Sequence, residues 1–424
     1  MRESIVITGV GVVTPLGKDP REVLRRVEAG ESAAAPSGFG AGMFACPVCA
    51  RVKDFDAREY VAEAKMVRLM NRDAQLAVAA ARLALRDAGL QVGQDYASED
   101  IGLFGATGLV GLPLGEVLPL IKASVGADGG FDPRSFGEAG LRAVSPILSF
   151  KILSNMPVCF VSICENIQGP NAIYTPWEGQ GAQAIEAGLH ALEGGDARCA
   201  LVGGCDVKTH ELAFIGLEQQ GIFESWRASP SPPSGERAGV RGHSDHSCER
   251  RAGVVPGEGA GFLVLEKEAD AAARGARIYA RVAGFNLGTR RKEQGRAGAF
   301  AEVLKGMGDW PIPLRDLRAS AVQSQADETA EARRSQRTRL VAAIVAASNG
   351  DPVAERDEER ALFSLGIAAD TVIHPKKHAG DLFAAAAALQ VGLAAVLAER
   401  CGGRVLANCF GHGSEQAAFL LEKP

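Results

Sequence analysis

The chain has 424 residues, 46% hydrophobic and 23% charged, with a formal net charge of −5 at pH 7 and a pI near 5.9. That length exceeds what one hydrophobic core usually fills, so two domains or two fused halves are expected. The mildly acidic balance argues against a nucleic-acid surface, no apolar stretch reads as membrane-spanning, and the first strand-like run begins too early for a signal peptide, which together point to the cytosol. Nine cysteines, an odd number placed mostly inside apolar runs (Cys159, Cys199, Cys205, Cys409), read as reduced core residues and not as a disulfide framework.

In chain order, Ser4 to Val13 (SIVITGVGVV) reads as a buried strand, and Thr14 to Gly17 turns the chain. Its glycines resemble part of a dinucleotide loop, but no GxGxxG opens a helix. Cys46-Pro47-Val48-Cys49 is a CxxC without a second pair, so redox and zinc roles are the minority reading. Apolar residues recurring every three or four positions predict one long helix over Ala62 to Ala88. Its Lys65, Arg68 and Arg72 share a face that is either a solvated stripe or a receiver for an acidic carrier protein. Ile101 to Gly108 is a strand and Gly129 to Pro146 a long excursion. The apolar run Val158 to Ile163 is expected as a strand, with Cys159 and Cys164 beside it in the core. Gly181, Ala182, Ala184, Ala187 and Gly188 then predict a helix crowded by its neighbours. Glu178 occupies the turn that enters this helix, where backbone N–H groups and the macrodipole favour anions and nucleophiles. Ala200 to Gly204 and Gly261 to Leu265 are buried strands. Between them, residues 227–251 are dense in Pro, Ser, Gly and Arg and are expected as a mobile surface loop. Its His243, His246 and Cys248 have spacing that could hold a metal, though incidental polar residues are the better reading.

The second half repeats the plan of the first. Gly188 to Gly204 runs helix, polar turn and buried strand ending in glycine, and Gly392 to Gly411 has the same order. An Ala-rich helix starting near Asp381 would match the helix at Glu178, so that two helix N-termini face a shared centre. The expected architecture is α/β with helix-covered sheets, one half over residues 1–267 and the other over 268–424.

Five segments carry a family resemblance: VITGVGVVTPLG, SPILSFKILSNMPVCFVSICENIQGPN, VVPGEGAGFLVLEK, the stretch from Lys376 to Ala387, and NCFGHGSEQAAFLLE. Together they resemble the β-ketoacyl carrier-protein synthases of the thiolase fold. The resemblance implies two duplicated halves in a five-layer αβαβα sandwich, dimeric through the region from Val158 to Gly188. It also implies where the family's working residues would stand. The nucleophilic cysteine falls at Glu178, with Pro176 and Trp177 in place of small residues. The first histidine falls at Asn349, within Asn349-Gly350-Asp351 ahead of Asp357, and the second at Asp381, after Lys376 and Gly380. Lys376 is retained, the acidic residue of the following helix stands as Gln390, and the aromatic gate stands as His412. Phe410, His412 and Trp177 would line the substrate pocket.

Condensation needs a thiolate to hold the acyl chain. A carboxylate attacking a thioester gives a mixed anhydride uphill of its reactants, so Glu178 cannot replace that sulfur. The two imidazoles would stabilise a developing enolate. Asn349 could donate one hydrogen bond, whereas an ionised Asp381 would repel the enolate by about 4 kcal/mol at about 4 Å and an effective dielectric near 20. Glu178 is therefore expected as an anion satisfying the N–H groups of a buried helix start, the alternatives being a general base or a cation ligand. No metal is expected, because Glu178 and Asp381 come with no evident third ligand, and no cofactor is implied. His374 and His378 flank Lys376 and are expected at the surface or behind the site. The resulting expectation is a catalytically silent homologue, similar to the chain length factors of polyketide and fatty-acid-like pathways, paired with an active ketosynthase subunit or with itself, and serving acyl carrier protein. One alternative is an acyl-thioester transferase, decarboxylase or hydrolase using Glu178, Asp381 and His412 as acid and base. Another is a homodimeric structural or carrier-docking protein.

Overall fold

The computed structural model describes residues 3–109, 112–228, 253–291, 293–307 and 341–424. Ile5–Val13 (β1) is buried at all nine positions, as its nearly continuous apolar composition requires of a strand covered on both faces. Ala35–Pro36 (β2) and Val48–Cys49 (β3) pair into a separate short ribbon. The remaining strands, Ile101–Thr107 (β4), Asn171–Tyr174 (β5), Cys199–Val207 (β6), Glu258–Lys267 (β7), Ala280–Thr289 (β8), Val341–Val345 (β9), Ala369–Ile373 (β10), Val405–Phe410 (β11) and Glu415–Glu422 (β12), join β1 in one sheet. Its order is β10-β9-β11-β12-β8-β1-β7-β6-β4-β5.

Two copies of one pairing scheme meet in that sheet. β1–β7 and β7–β6 are antiparallel, and β6–β4 and β4–β5 are parallel. β8–β12 and β12–β11 are likewise antiparallel, and β11–β9 and β9–β10 parallel. Among the described residues, the strand pairing that joins the copies is that of Val6 with Arg281 and Ile7 with Ala280. The helices Glu178–Gly194 and Ala386–Cys401 pack against each other and against strands of both copies. Arg72–Asp87 and Met156–Glu165 cover the outer face of the first copy, and Arg296–Gly306 and Pro352–Ser364 that of the second, which gives five layers. Small residues make the central layer possible. A Cβ on Gly188 would lie 2.2 Å from the Val202 side chain, and one on Gly181 would lie 2.6 Å from the Ala384 carbonyl oxygen. Every residue from Ala386 to Ala398 is buried.

Several sequence expectations change here. Val158 to Ile163 is helical, within Met156–Glu165. A short apolar run does not reveal its own period, and here Pro157 in the first turn and a left-handed Asn166 at the C-cap bound a helix. Cys159 and Cys164 are accordingly half-buried on that helix instead of buried in a strand. The helix expected over 62–88 is two, Ala64–Leu69 and Arg72–Asp87. Met70 is extended, and the Asn71 side chain caps the second helix by accepting from the Ala74 N–H at 2.9 Å. The break separates Arg72 from Lys65 and Arg68: Arg72 pairs with Glu258 at 2.9 Å, while the other two stay exposed. In the second half the central helix begins at Ala386, after a 3₁₀ turn over Phe383–Ala385, and not at Asp381. Contrary to the expectation of no such stretch, Phe383–Cys401 is long and apolar enough to cross a membrane by length and composition, and most of it is buried inside the protein. Cys46 and Cys49 are free thiols, each 1% exposed. Of the segment 227–251, Arg227 and Ala228 end a short helix, and His243, His246 and Cys248 lie outside the described residues.

Candidate functional site

Four buried or half-buried ionisable side chains meet where the two central helices begin. Glu178 is the first residue of Glu178–Gly194. Lys376 lies on the short helix Pro375–Ala379, Asp381 just before the turn into Ala386–Cys401, and His412 on the connection from β11 to β12. Both Glu178 oxygens are engaged by His412: the ring Nδ1 sits 2.9 Å from Oε1, and the backbone N–H donates to Oε2 at 3.2 Å. Glu178 thus turns its carboxylate toward the loop across from it, a partner the helix-start argument alone does not supply. Lys376 Nζ lies 3.7 Å from Glu178 Oε1 and 3.7 Å from Asp381 Oδ2, and it donates to the Phe410 carbonyl at 2.9 Å.

Asp381 is fixed from several sides. Asn349 Nδ2 donates to its Oδ2 at 2.8 Å and the Phe383 N–H to its Oδ1 at 2.9 Å. Its own backbone exchanges hydrogen bonds with Val255 and Gly257 at 2.8 Å each. Phe383, which the sequence did not single out, has φ of 46°, a left-handed conformation uncommon for a bulky residue. It persists because Asp381 accepts from its N–H and Asp206 from that of Ala384 at 3.3 Å. Its ring stacks on His412 at 5.7 Å, and Trp177 lies 6.1 Å from Phe383 and 6.2 Å from His412. Phe410 turns the other way, onto Phe300 at 4.8 Å. A cavity of about 10 Å³, room for a single water, is lined by Asn349, Phe410, Gly411 and His412 among others.

The electrostatics follow from this packing. Burial opposes ionisation of Glu178, but the charges of His412 and Lys376 and the bond from His412 outweigh it and hold the carboxyl well below the usual carboxylate range. Burial pushes the Asp381 carboxyl up, against the pull of Lys376 and with a further push from the Glu178 anion. Burial disfavours the imidazolium of His412, yet the Glu178 carboxylate raises its pKa above the ordinary histidine value. Glu178, Asp381 and His412 place ligand-type atoms within 4.8 Å of one another, and no cysteine sulfur is part of that cluster among the described residues. The third metal-type ligand missing from the sequence reading is therefore His412.

The loop is pressed hard onto this site, since a Cβ on Gly411 would lie 2.0 Å from the Glu178 carboxyl carbon. Gly411→Ala is expected to cost about 1–3 kcal/mol by overpacking, seen as a lower denaturation midpoint. Gly298→Ala, where nothing lies within 4 Å of the added methyl, should cause no loss.

Residues 2–271 match the family model of the β-ketoacyl synthase N-terminal domain. The chain belongs to the β-ketoacyl synthase family. The 3-oxoacyl-(acyl-carrier-protein) synthase 2 of Vibrio harveyi is 29% identical over 307 residues, covering 71% of this chain and 68% of that one. The ishigamide ketosynthase/chain length factor structure aligns over 100% of both chains with TM-score 0.71 at 22% identity. A type II polyketide synthase ketosynthase in complex with its acyl-carrier protein aligns over 100% of both chains with TM-score 0.69 at 16% identity. These structures establish the thiolase-like ketosynthase fold for this chain, in agreement with its five layers. In this β-ketoacyl synthase homologue, the expected site residues Glu178, Asn349, Lys376, Asp381 and His412 converge, and Trp177 borders them. His374 and His378 do not reach the cluster: His374 bonds the Ser348 hydroxyl at 2.7 Å, and His378 meets the Glu31 carbonyl at 3.0 Å. Gln390 Nε2 donates to the backbone carbonyls of Ala346 and Asn408 at 2.9 and 2.8 Å, tying the second central helix to β11 and the end of β9.

Proposed function

We propose that this chain is a non-condensing ketosynthase homologue, a chain length factor-like partner of an active ketosynthase subunit in fatty-acid, polyketide or polyene biosynthesis, working on acyl chains carried by an acyl carrier protein. One observation carries the reading: at the mouth of the first central helix stands a carboxylate, Glu178, held by His412 and Lys376. A group so held is a poor nucleophile, and its acyl adduct would be a mixed anhydride. Asp381 adds a second acid where a developing enolate needs hydrogen-bond donors, leaving Asn349 as one amide donor already spent on Asp381.

The partner surface follows from exposure. Leu109, Phe131, Leu141, Phe150, Leu153 and Ile163 are each at least half exposed, and β5 ends the sheet with one edge unpaired among the described residues. Exposed apolar side chains and an open strand edge each suit a subunit interface. The exposed Lys65 and Arg68 suit an acidic carrier protein. Co-expression with a cysteine-bearing ketosynthase is expected to yield a heterodimer whose product length changes with this subunit, and intact-mass analysis with acyl carrier protein to show no adduct on this chain. Only homodimers, with product length indifferent to this chain, would defeat the reading. The double variant Phe131→Asp/Phe150→Asp should lower recovery of the complex at least tenfold while the monomer stays folded, as read by size-exclusion chromatography and circular dichroism.

A second reading has one observation in its favour: Glu178 and Asp381 are two acids whose environments drive their pKa values apart, the usual arrangement for an acid and a base. It requires hydrolysis, decarboxylation or transfer of an acyl thioester, lost in Glu178→Gln at a temperature where that variant remains folded.

A further inference from the structure

Glu178, Asp381 and His412 come from three separate elements and present two carboxylate oxygens and a ring nitrogen within 4.8 Å of one another. Two oxygens and an imidazole make a donor set suited to zinc and the divalent ions near it in chemistry. Around a tetrahedral zinc with bonds of about 2.0–2.1 Å, ligand atoms sit about 3.4 Å apart, so side-chain adjustments of about 1 Å would close this set on an ion. The donors do not converge on empty space. Lys376 Nζ stands 3.7 Å from each carboxylate, its side chain 1% exposed, and a third contact to the Phe410 carbonyl at 2.9 Å fixes it.

We propose that Lys376 is a built-in counter-cation occupying a latent Glu–Asp–His metal site, so that the cluster binds a divalent transition metal once the ammonium is removed and excludes it while the ammonium is present. Electrostatics supplies the reason. Two carboxylates enclosed in one buried pocket call for a positive charge, which the lysine delivers on a tether from the Pro375–Ala379 helix. A metal ion entering alongside it would meet a fixed like charge a few ångströms away with little water to screen it. Without the ammonium, the pocket keeps its acids and its imidazole and lacks their neutralising partner.

The test uses the full-length Lys376→Met protein, stripped of metal and titrated with Zn²⁺, and with Co²⁺ to report coordination by its visible absorption. One equivalent should bind at least 100-fold more tightly than to the wild type, and Zn²⁺ should raise Tm in the variant alone. Both effects should vanish in Lys376→Met/Asp381→Asn and in Lys376→Met/His412→Ala. A folded Lys376→Met protein that binds no more Zn²⁺ than the wild type overturns the proposal. So does a wild type that binds equally well, or double variants that still bind. Should Lys376→Met be unfolded without metal, the proposal requires Zn²⁺ to restore its circular dichroism, and failure to do so also overturns it.

Discussion

Glu178→Gln is expected to lower the unfolding free energy by about 3–5 kcal/mol, the loss typical when one member of a buried ion pair is removed and its partners stay behind. The substitution keeps shape and most hydrogen-bonding capacity, so the loss isolates charge: Lys376, 1% exposed, keeps Asp381 and the Phe410 carbonyl but loses one of its two carboxylates, and the His412 ring, 16% exposed, loses the carboxylate it bonds. The pH dependence separates this from a packing defect. The folded pKa of Glu178 is depressed below its ordinary 4.5, so its contribution is present above pH 4.5 and is lost as pH falls through the folded value. That of His412 is raised above 6.5, so its contribution is full below pH 6.5 and is lost as pH rises through the raised value. The gap between wild type and Glu178→Gln should therefore be widest between pH 4.5 and 6.5 and narrow on the alkaline side, where the pair with Lys376 remains. Urea denaturation of both proteins from pH 4 to 9 gives the curve, and a gap independent of pH would mean that the ionic account is wrong.

The legible parts of this molecule were those written in local pattern. β1, β4, β6 and β7 follow their apolar runs to within a few residues, because strands buried on both faces have no alternation to obscure. The same lack of alternation hid the helix at Met156–Glu165, whose run is no longer than a strand and is decided by packing on Arg72–Asp87. The break at Met70–Asn71 was written in the sequence as an N-cap residue, Asn71, whose side chain accepts from the Ala74 N–H three residues on, yet a strong helical period on both sides masked it. At the site, the opposition of Glu178 and Asp381 could be inferred from the repeated order of elements, since both stand where a central helix is approached. The His412 contact could not. It depends on a connection between β11 and β12 narrowed by Gly411 until it touches a carboxylate more than 200 residues away in sequence. Nor does any local signal foretell the left-handed backbone of Phe383, which is imposed by acids from both halves.

Glu178→Cys is expected to turn this chain into one that accepts an acyl group without extending it. The new thiol would stand at the start of Glu178–Gly194, with its first-turn N–H groups, and beside Lys376 and His412, surroundings that favour the thiolate. Incubation with an acyl-carrier thioester should then give a mass increase of one acyl group on this chain, absent from the wild type. Decarboxylative condensation should stay undetectable, because the enolate would face Asp381 and an Asn349 amide already committed to it. Adding Asn349→His and Asp381→His exchanges that acid and that amide for two imidazoles. If each such donor is worth about 10²–10³ in rate, as single oxyanion-hole donors are, condensation should emerge only in the triple variant, and far above the sum of the single substitutions. The ordering is what discriminates. Extension by Glu178→Cys alone would show that the acid at 381 is no obstacle, and a triple variant that acylates but never condenses would place the block elsewhere, in the space beside Phe410 and His412, which holds about 10 Å³ in the wild type.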